Sequence, residues 1–461
     1  MRSTAVRPTV FDRIDAVAET LKTAPPPPTD RGGLPPGPSW PAIVQSIGVL
    51  TFRHRFIPAM QRKYGSTFTL KLIPRQRSMV FFHEPEAIRQ IFAGDPEVFH
   101  AGKGNAILGP LMGQHSLLLQ DGAEHKRARR MLMPAFGATA INGYREMVHE
   151  IARDHIATWP VGTPFASLDA MNEITLDVIL KVVFGVTDED HLAEFRPLVR
   201  EIIEMNPLVL ITFRFPLAHR VLPALKNMIS AQARLDAAIY DQVARRRAAG
   251  DDGGRDVLSQ LLRVQDEDGS TLTDTELRDQ LVTLLMAGHE TTATALAWTL
   301  HEIWSDPTIE ARASKAAATS DDDYLEALMK EAMRLHPVIA MVARMVVKPT
   351  VIGGVSLPAG SYVGGSILLA HADELSHPGA ATYRPERFLE GEVHPNTWIP
   401  FGGGVRRCIG AAFSMVEGVA VLSEIFAAYD LAVPAGTAEV ATVRNITSVP
   451  KHGAQVIVTP R

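Results

Sequence analysis

Cys408 is the only cysteine in the 461-residue chain, and it lies in the segment Phe401-Gly402-Gly403-Gly404-Val405-Arg406-Arg407-Cys408-Ile409-Gly410. A solitary cysteine is most simply a small buried hydrophobe, but its neighbours here argue for a thiolate. Three consecutive glycines let the backbone approach another group without side-chain obstruction. Arg406, Arg407 and the helix N-terminus expected at the apolar run from Ile409 supply positive potential, which favours S⁻ over S–H.

Three further constellations carry chemistry. Ala287-Gly288-His289-Glu290-Thr291-Thr292 sets glycine, a carboxylate and two hydroxyls into a helix interior where leucine is expected. That local cost is accepted at a functional site, or it marks a polar patch at a kink. Glu331 and Arg334 lie three apart on the helical stretch Lys330–Leu335, which stops at His336-Pro337. The same Glu-x-x-Arg spacing occurs at Glu86/Arg89, Glu124/Arg127 and Glu150/Arg153, each most simply a surface pair. His125-Lys126-Arg127-Ala128-Arg129-Arg130 is a basic run whose His125 and Arg129, four apart, share one helical face.

Positioning these groups requires mostly helices. Thr273-Asp274-Thr275-Glu276 has the pattern of a capping box and opens a helix that can run to Ser305-Asp306-Pro307. Residues 67–72 and 78–82 predict two strands around a turn at Pro74. Most of 85–345 has helical period, and strand signals return at 350–367 and, as a terminal hairpin, at 439–459. A short amphipathic helix over 10–22 precedes a proline-rich stretch, giving a lead-in over 1–38 and one body over 39–461.

The Cys408 loop resembles the haem-ligand loop of the cytochrome P-450 superfamily, Phe-x-x-Gly-x-Arg-x-Cys-x-Gly, at Phe401, Gly404, Arg406, Cys408 and Gly410. Ala287 to Thr292 resembles the same family's oxygen-activation motif, and Tyr383-Arg384-Pro385-Glu386-Arg387-Phe388 its Pro-Glu-Arg-Phe element. The resemblance implies a mainly α fold with small β-sheets and a heme b cofactor (iron protoporphyrin IX). Cys408 would be the iron ligand, beside Phe401, Gly402 and Gly410. It makes Glu290 and Thr291 the proton-delivering pair, with Ala287 and Gly288 leaving room for O₂. It implies haem-propionate donors at His125, Arg129, Arg344 and Arg406, and a structural network of Glu331, Arg334 and Arg387. Lys126, Arg127, Arg130 and Arg407 are left as a basic surface for an acidic electron donor, or as a solvated face.

The net charge of −5 and 46% apolar content carry no overall signal for nucleic acid. One cysteine excludes an intramolecular disulfide framework. No dinucleotide fingerprint, phosphate loop or His-Glu-x-x-His is present. About fifty residues follow Cys408, too few for a fused flavin or ferredoxin module. Electrons are therefore expected from a separate ferredoxin or flavodoxin with its NAD(P)H reductase. No apolar run is expected to span a bilayer, and the chain is expected to be a cytoplasmic monomer. The run 41–50 is too short to anchor it permanently but leaves peripheral contact open.

The pocket walls that the resemblance implies are apolar here: Leu281, Leu284, Leu285 and Met286; Val338, Ile339, Met341 and Val342; Leu208 to Ile211. They point to a hydrophobic substrate such as a fatty acid, a terpenoid or a steroid-like molecule, and the resemblance implies a monooxygenase acting on it. A peroxide-driven peroxygenase and a non-catalytic haem sensor are the alternatives. The sensor leaves Glu290 and Thr291 without a purpose.

Overall fold

The computed structural model describes the chain except residues 1–6, 11, 14, 17–18, 20–32, 74–76, 187, 204–222, 251–252, 305, 392 and 435–438. The expected turn at Pro74, the wall Leu208 to Ile211 and the first proline run lie outside the described residues. In chain order the principal helices are α1 (Ala42–Thr51), α2 (Arg53–Tyr64), α3 (Pro85–Ala93), α4 (Gly122–Leu132), α5 (Ala138–Ile156), α6 (Ser167–Val182), α7 (Glu189–Ile203), α8 (Pro223–Ala249), α9 (Asp274–Trp304), α10 (Pro307–Thr319), α11 (Asp322–Leu335) and α12 (Ala411–Ala428). The strands are β1 (Phe68–Leu72), β2 (Arg77–Phe82), β3 (Phe99–His100), β4 (Phe165–Ala166), β5 (Met341–Val346), β6 (Thr350–Ile352), β7 (Val355–Leu357), β8 (Tyr362–Ser366), β9 (Tyr429–Ala432), β10 (Ala441–Arg444), β11 (Thr447–Pro450) and β12 (Gln455–Pro460).

The chain divides into two compact units, one of residues 1–25, 100–140 and 179–287, the other of 26–99, 141–178 and 288–461. In the first unit, Arg278 is fully buried. It binds Asp236 and Asp279 and donates to the carbonyls of Leu111 and Met112. Arg13 joins the same cluster through Asp236 at 2.8 Å. Arg13 lies within the short helix expected over 10–22, where the described residues 10, 12, 13, 15, 16 and 19 are helical, and it gives this unit a buried cation.

In the second unit, β2 pairs antiparallel with β1 and parallel with β8, and β8 pairs antiparallel with β5. Every residue of β2 is buried, as a strand covered on both faces requires. Val80 and Phe82 pack towards Ile88, Ile91 and Phe92 of α3, while Phe81 stacks on Phe68 at 5.1 Å on the other face. Helical period over 85–345 had concealed β5. The C-terminal expectation also changes: β10 and β11 form a tight hairpin, and β12 leaves it to pair with β9 and β4.

The helix α9 begins as expected, with Thr273 and Glu276 exchanging bonds to each other's backbone N–H at 2.8 and 3.2 Å. α12 has the length and mean hydropathy, 1.6 over 18 residues, of a bilayer-spanning helix, although Glu417 and Glu424 interrupt its apolar run. Phe413, Val419, Leu422, Ile425 and Phe426 are nevertheless buried within the second unit. Gly418 permits the close packing of α12 on α11, since a Cβ there would sit 2.2 Å from the Met329 sulfur.

Candidate active site

Cys408 is exposed two residues ahead of Gly410, the N-cap of α12. Its N–H donates to the Phe401 carbonyl at 2.9 Å, and the Gly402 N–H donates to Ile399 at 3.0 Å. Gly402 and Gly404 have φ of +64° and +63°, a region other residues enter only at a cost. A Cβ on Gly404 would stand 1.9 Å from the Phe92 carbonyl oxygen, and one on Gly403 would stand 2.3 Å from the Phe92 ring. The glycines therefore key the loop against the last turn of α3. The sulfur meets solvent at the positive end of an apolar helix.

This donor set fits haem. Among the described residues no group of three His, Cys, Asp or Glu side chains could hold a metal ion. A single thiolate would suit an iron whose remaining ligands come mainly from a macrocycle.

Behind the loop, Glu331, Arg334 and Arg387 are all essentially buried. Arg334 grips Glu331 with Nε and Nη2, each at 2.8 Å, and Arg387 Nε reaches the same carboxylate at 3.0 Å. The spare Arg334 donors bind the carbonyls of His371, Ala380 and Thr382. From Arg387 the contact passes to the loop through rings: Phe388 meets Trp398 edge-on at 5.4 Å, and Trp398 meets Phe401 at 5.9 Å. Trp398 Nε1 donates to the Lys330 carbonyl at 3.1 Å, tying the loop back to α11. His371 accepts the Ile399 N–H at 2.8 Å; burial pushes its pKa down to about 3, keeping it the neutral acceptor.

The other Glu-x-x-Arg pairs behave differently. Glu86–Arg89 is an exposed pair, as expected. Arg127 instead binds Glu276 and Asp266, and Arg153 binds Glu424. Arg130 is paired with Asp266 and Glu267. The expected basic surface for an electron donor is thus largely neutralised at Arg127 and Arg130.

The centre of α9 breaks its burial pattern. Leu281 and Leu285 are fully buried, and Leu284 nearly so, so these expected wall residues are core. Met286, Ala287, Gly288 and Thr291 are open to varying degrees. His289 and Glu290 turn inward. His289 Nδ1 lies 3.0 Å from Thr175 Oγ1. Glu290 is buried with Oε1 lacking a hydrogen bond, although Arg444 Nε of β10 lies 3.1 Å away at ion-pair distance. Burial raises the Glu290 pKa to about 7, with Arg444 and Thr447 opposing the shift. Burial likewise raises that of Glu417 on α12 to about 8, against a hydrogen bond from Thr292.

Sequence reasoning missed Arg444, Glu417, Trp398 and His371. For Glu417 there was a signal, a lone carboxylate inside the apolar run of α12, where only the neutral acid is readily buried. Of the expected propionate donors, His125 is buried and Arg129 half-buried on α4 in the first unit. In the second unit, Arg344 is buried on β5 and Arg406 is half-buried in the Cys408 loop.

The raised carboxyls set a pH dependence. Between about 4.5 and 7, unfolded Glu290 loses a proton that folded Glu290 keeps, so its contribution to stability falls as pH rises through that window and levels off above it. Glu290→Gln is expected to remove a decline on the order of 3 kcal/mol. Urea unfolding at pH 5 and pH 8 measures it; parallel differences in parent and variant would contradict the assignment.

A sequence profile of the cytochrome P450 family matches residues 35–458. The chain is 50% identical over 431 residues to cytochrome P450 135A1 of Mycobacterium tuberculosis, covering 93% of this chain and 96% of the relative. It is 40% identical over 437 residues to cytochrome P450 135B1 of Mycobacterium bovis, covering 93% and 92%. Among solved structures, a retinoic acid-bound cyanobacterial CYP120A1 superposes with a TM-score of 0.83 at 23% identity, over 93% of this chain and all of that one. With the Cys408 loop, a central helix whose burial pattern is interrupted at residues 286–288 and these relatives, the chain belongs to the cytochrome P450 family and is a monooxygenase.

Proposed function

We propose that this chain inserts one atom of O₂ into a hydrophobic small molecule, a fatty acid, terpenoid or steroid-like compound. Cys408 holds heme b through its sulfur, and electrons come from a separate ferredoxin or flavodoxin with its NAD(P)H reductase. The bound haem supplies the iron at which dioxygen is activated. His125, Arg129, Arg344 and Arg406 are proposed to hold its propionates. Supporting the apolar substrate are Met286, open on α9, and Ile339, Met341 and Val342, half-buried at the start of β5.

The observation that carries the proposal is Glu290. Its proton dissociates near pH 7, the range in which a carboxyl can both give and regain a proton at neutral pH. Glu290 releases that proton, and ordered water would carry it by way of the Thr291 hydroxyl towards dioxygen. Arg444 favours the carboxylate left behind, and solvent returns its proton. A peroxide-driven peroxygenase has little use for such a relay, and a sensor has none.

The test begins with the reduced carbon-monoxide difference spectrum, which is expected to report a thiolate-bound haem. With ferredoxin, reductase and a lipid panel, Thr291→Ala should consume NADPH largely uncoupled from product. Full coupling in Thr291→Ala would refute the relay, and turnover supported only by hydrogen peroxide would favour the peroxygenase.

A further inference from the structure

α1 leaves much of its apolar surface outside. Its buried face carries Gln45, Ser46 and Gly48 together with Ala42 and Val49, while Ile43, Val44, Ile47 and Leu50 face solvent. Specific bonds fix this orientation. Gln45 accepts from the Lys71 N–H at 2.8 Å and donates to the Trp40 carbonyl at 2.6 Å, and Ser46 accepts from the Ile73 N–H at 2.9 Å. A Cβ on Gly48 would lie 2.7 Å from the Phe56 ring, so the helix cannot roll to hide its apolar stripe. Phe52, at 58% exposure, extends the stripe. Arg53 fastens the β10–β11 turn alongside it, donating to the carbonyls of Ile446 at 2.8 Å and Asn445 at 3.1 Å. Exposed Ile446 thereby joins the patch.

The sequence segment that contains the patch is one-sided in charge. From Arg31 to His83 the sequence contains no Asp or Glu, yet it contains Arg31, Arg53, Arg55, Arg62, Lys63, Lys71, Arg75 and Arg77, in a chain of net charge −5. Arg55, Arg62 and Lys63 are exposed on α2, the next helix. Lys63 Nζ stands 5.8 Å from the centre of the Trp40 ring, pairing a cation with the aromatic residue best suited to a headgroup layer.

An apolar stripe beside the exposed cations Arg55, Arg62 and Lys63, in a sequence segment without Asp or Glu, matches an anionic lipid surface, apolar side chains among the acyl chains and cations at the phosphates. A second copy of the chain would bring the same cations face to face. We propose that α1, with Phe52 and Ile446, is a peripheral docking surface for anionic phospholipid bilayers. The proposal goes beyond the oxygenation chemistry and does not depend on it.

The holoprotein should co-sediment with vesicles of phosphatidylglycerol and phosphatidylcholine, binding more with phosphatidylglycerol content and less with added salt. Ile43→Glu/Ile47→Glu should lower the partition coefficient about tenfold or more while leaving the haem spectrum and thermal midpoint unchanged. Arg55→Glu/Lys63→Glu, which leaves the apolar stripe intact, should remove most of the preference for phosphatidylglycerol over phosphatidylcholine. Equal binding by parent and both variants would overturn the proposal. So would a failure of the parent to bind either vesicle while forming a dimer that Ile43→Glu/Ile47→Glu abolishes.

Discussion

Glu331→Ala is expected to yield protein that fails to retain haem. The carboxylate is the shared acceptor for Arg334, Arg387 and the Arg384 N–H. Its removal strands two guanidinium groups with side chains no more than 2% exposed. Breaking one partner out of a buried charge network costs about 3–5 kcal/mol, a large part of a typical domain's stability. The cost falls near the Cys408 loop, because the Phe388–Trp398–Phe401 rings and the Trp398 bond to Lys330 lead from this network to Cys408. The ratio of haem to protein absorbance after purification measures the effect. Glu86→Ala is the control: it breaks the same i,i+3 spacing on an exposed surface and should leave haem content unchanged. Normal haem content in Glu331→Ala would remove the network from any role in holding the site.

Gly404→Ala should be nearly as damaging, for a different reason. The added methyl meets the Phe92 carbonyl oxygen at 1.9 Å, a backbone atom that no rotamer change can move, and φ is +63° besides. Holding alanine in the left-handed region by itself costs about 1–2 kcal/mol, and the collision forces the loop away from α3. The expected result is a reduced carbon-monoxide spectrum with most of its thiolate signal lost. Gly143→Ala, in α5 with open space around the new methyl, should be neutral or slightly stabilising. A thiolate signal equal to the parent's in Gly404→Ala would show that the loop does not depend on contact with Phe92.

Both predictions rest on residues the sequence exposes, because their chemistry is written in short windows: Cys408 with its glycines, and Glu331 three before Arg334. The helix carrying Glu290 and Thr291 was legible for the same reason, down to its capping box. What stayed hidden depends on where distant segments meet. Arg444 has no local mark, and only the placement of β10 brings it 3.1 Å from Glu290. Trp398 looks like an ordinary aromatic until it bridges α11 and Phe401. Arg127 and Arg153 had plausible partners one helical turn away, yet they bind acids far along the chain, because tertiary neighbours outcompete a weak i,i+3 pair. The stretch containing β5 passed for helix because a short apolar strand and a helical segment share the same composition.

The division of the chain into two interleaved units bears on the order in which the protein can be made. Every segment of the first unit has been synthesised once Ala287 exists, whereas the second still awaits everything from Gly288 onward. Until β8 appears, β2 lacks its parallel partner, and the fully buried row Val80, Phe81 and Phe82 has an unpaired apolar edge. Such an edge on a nascent chain invites aggregation, and pairings this distant in sequence form slowly. The Cys408 loop is made later still, so the proposed haem site would be complete only after most of the chain has been synthesised. Recovery of soluble protein in a foreign host should therefore depend on chaperone capacity before it depends on haem supply.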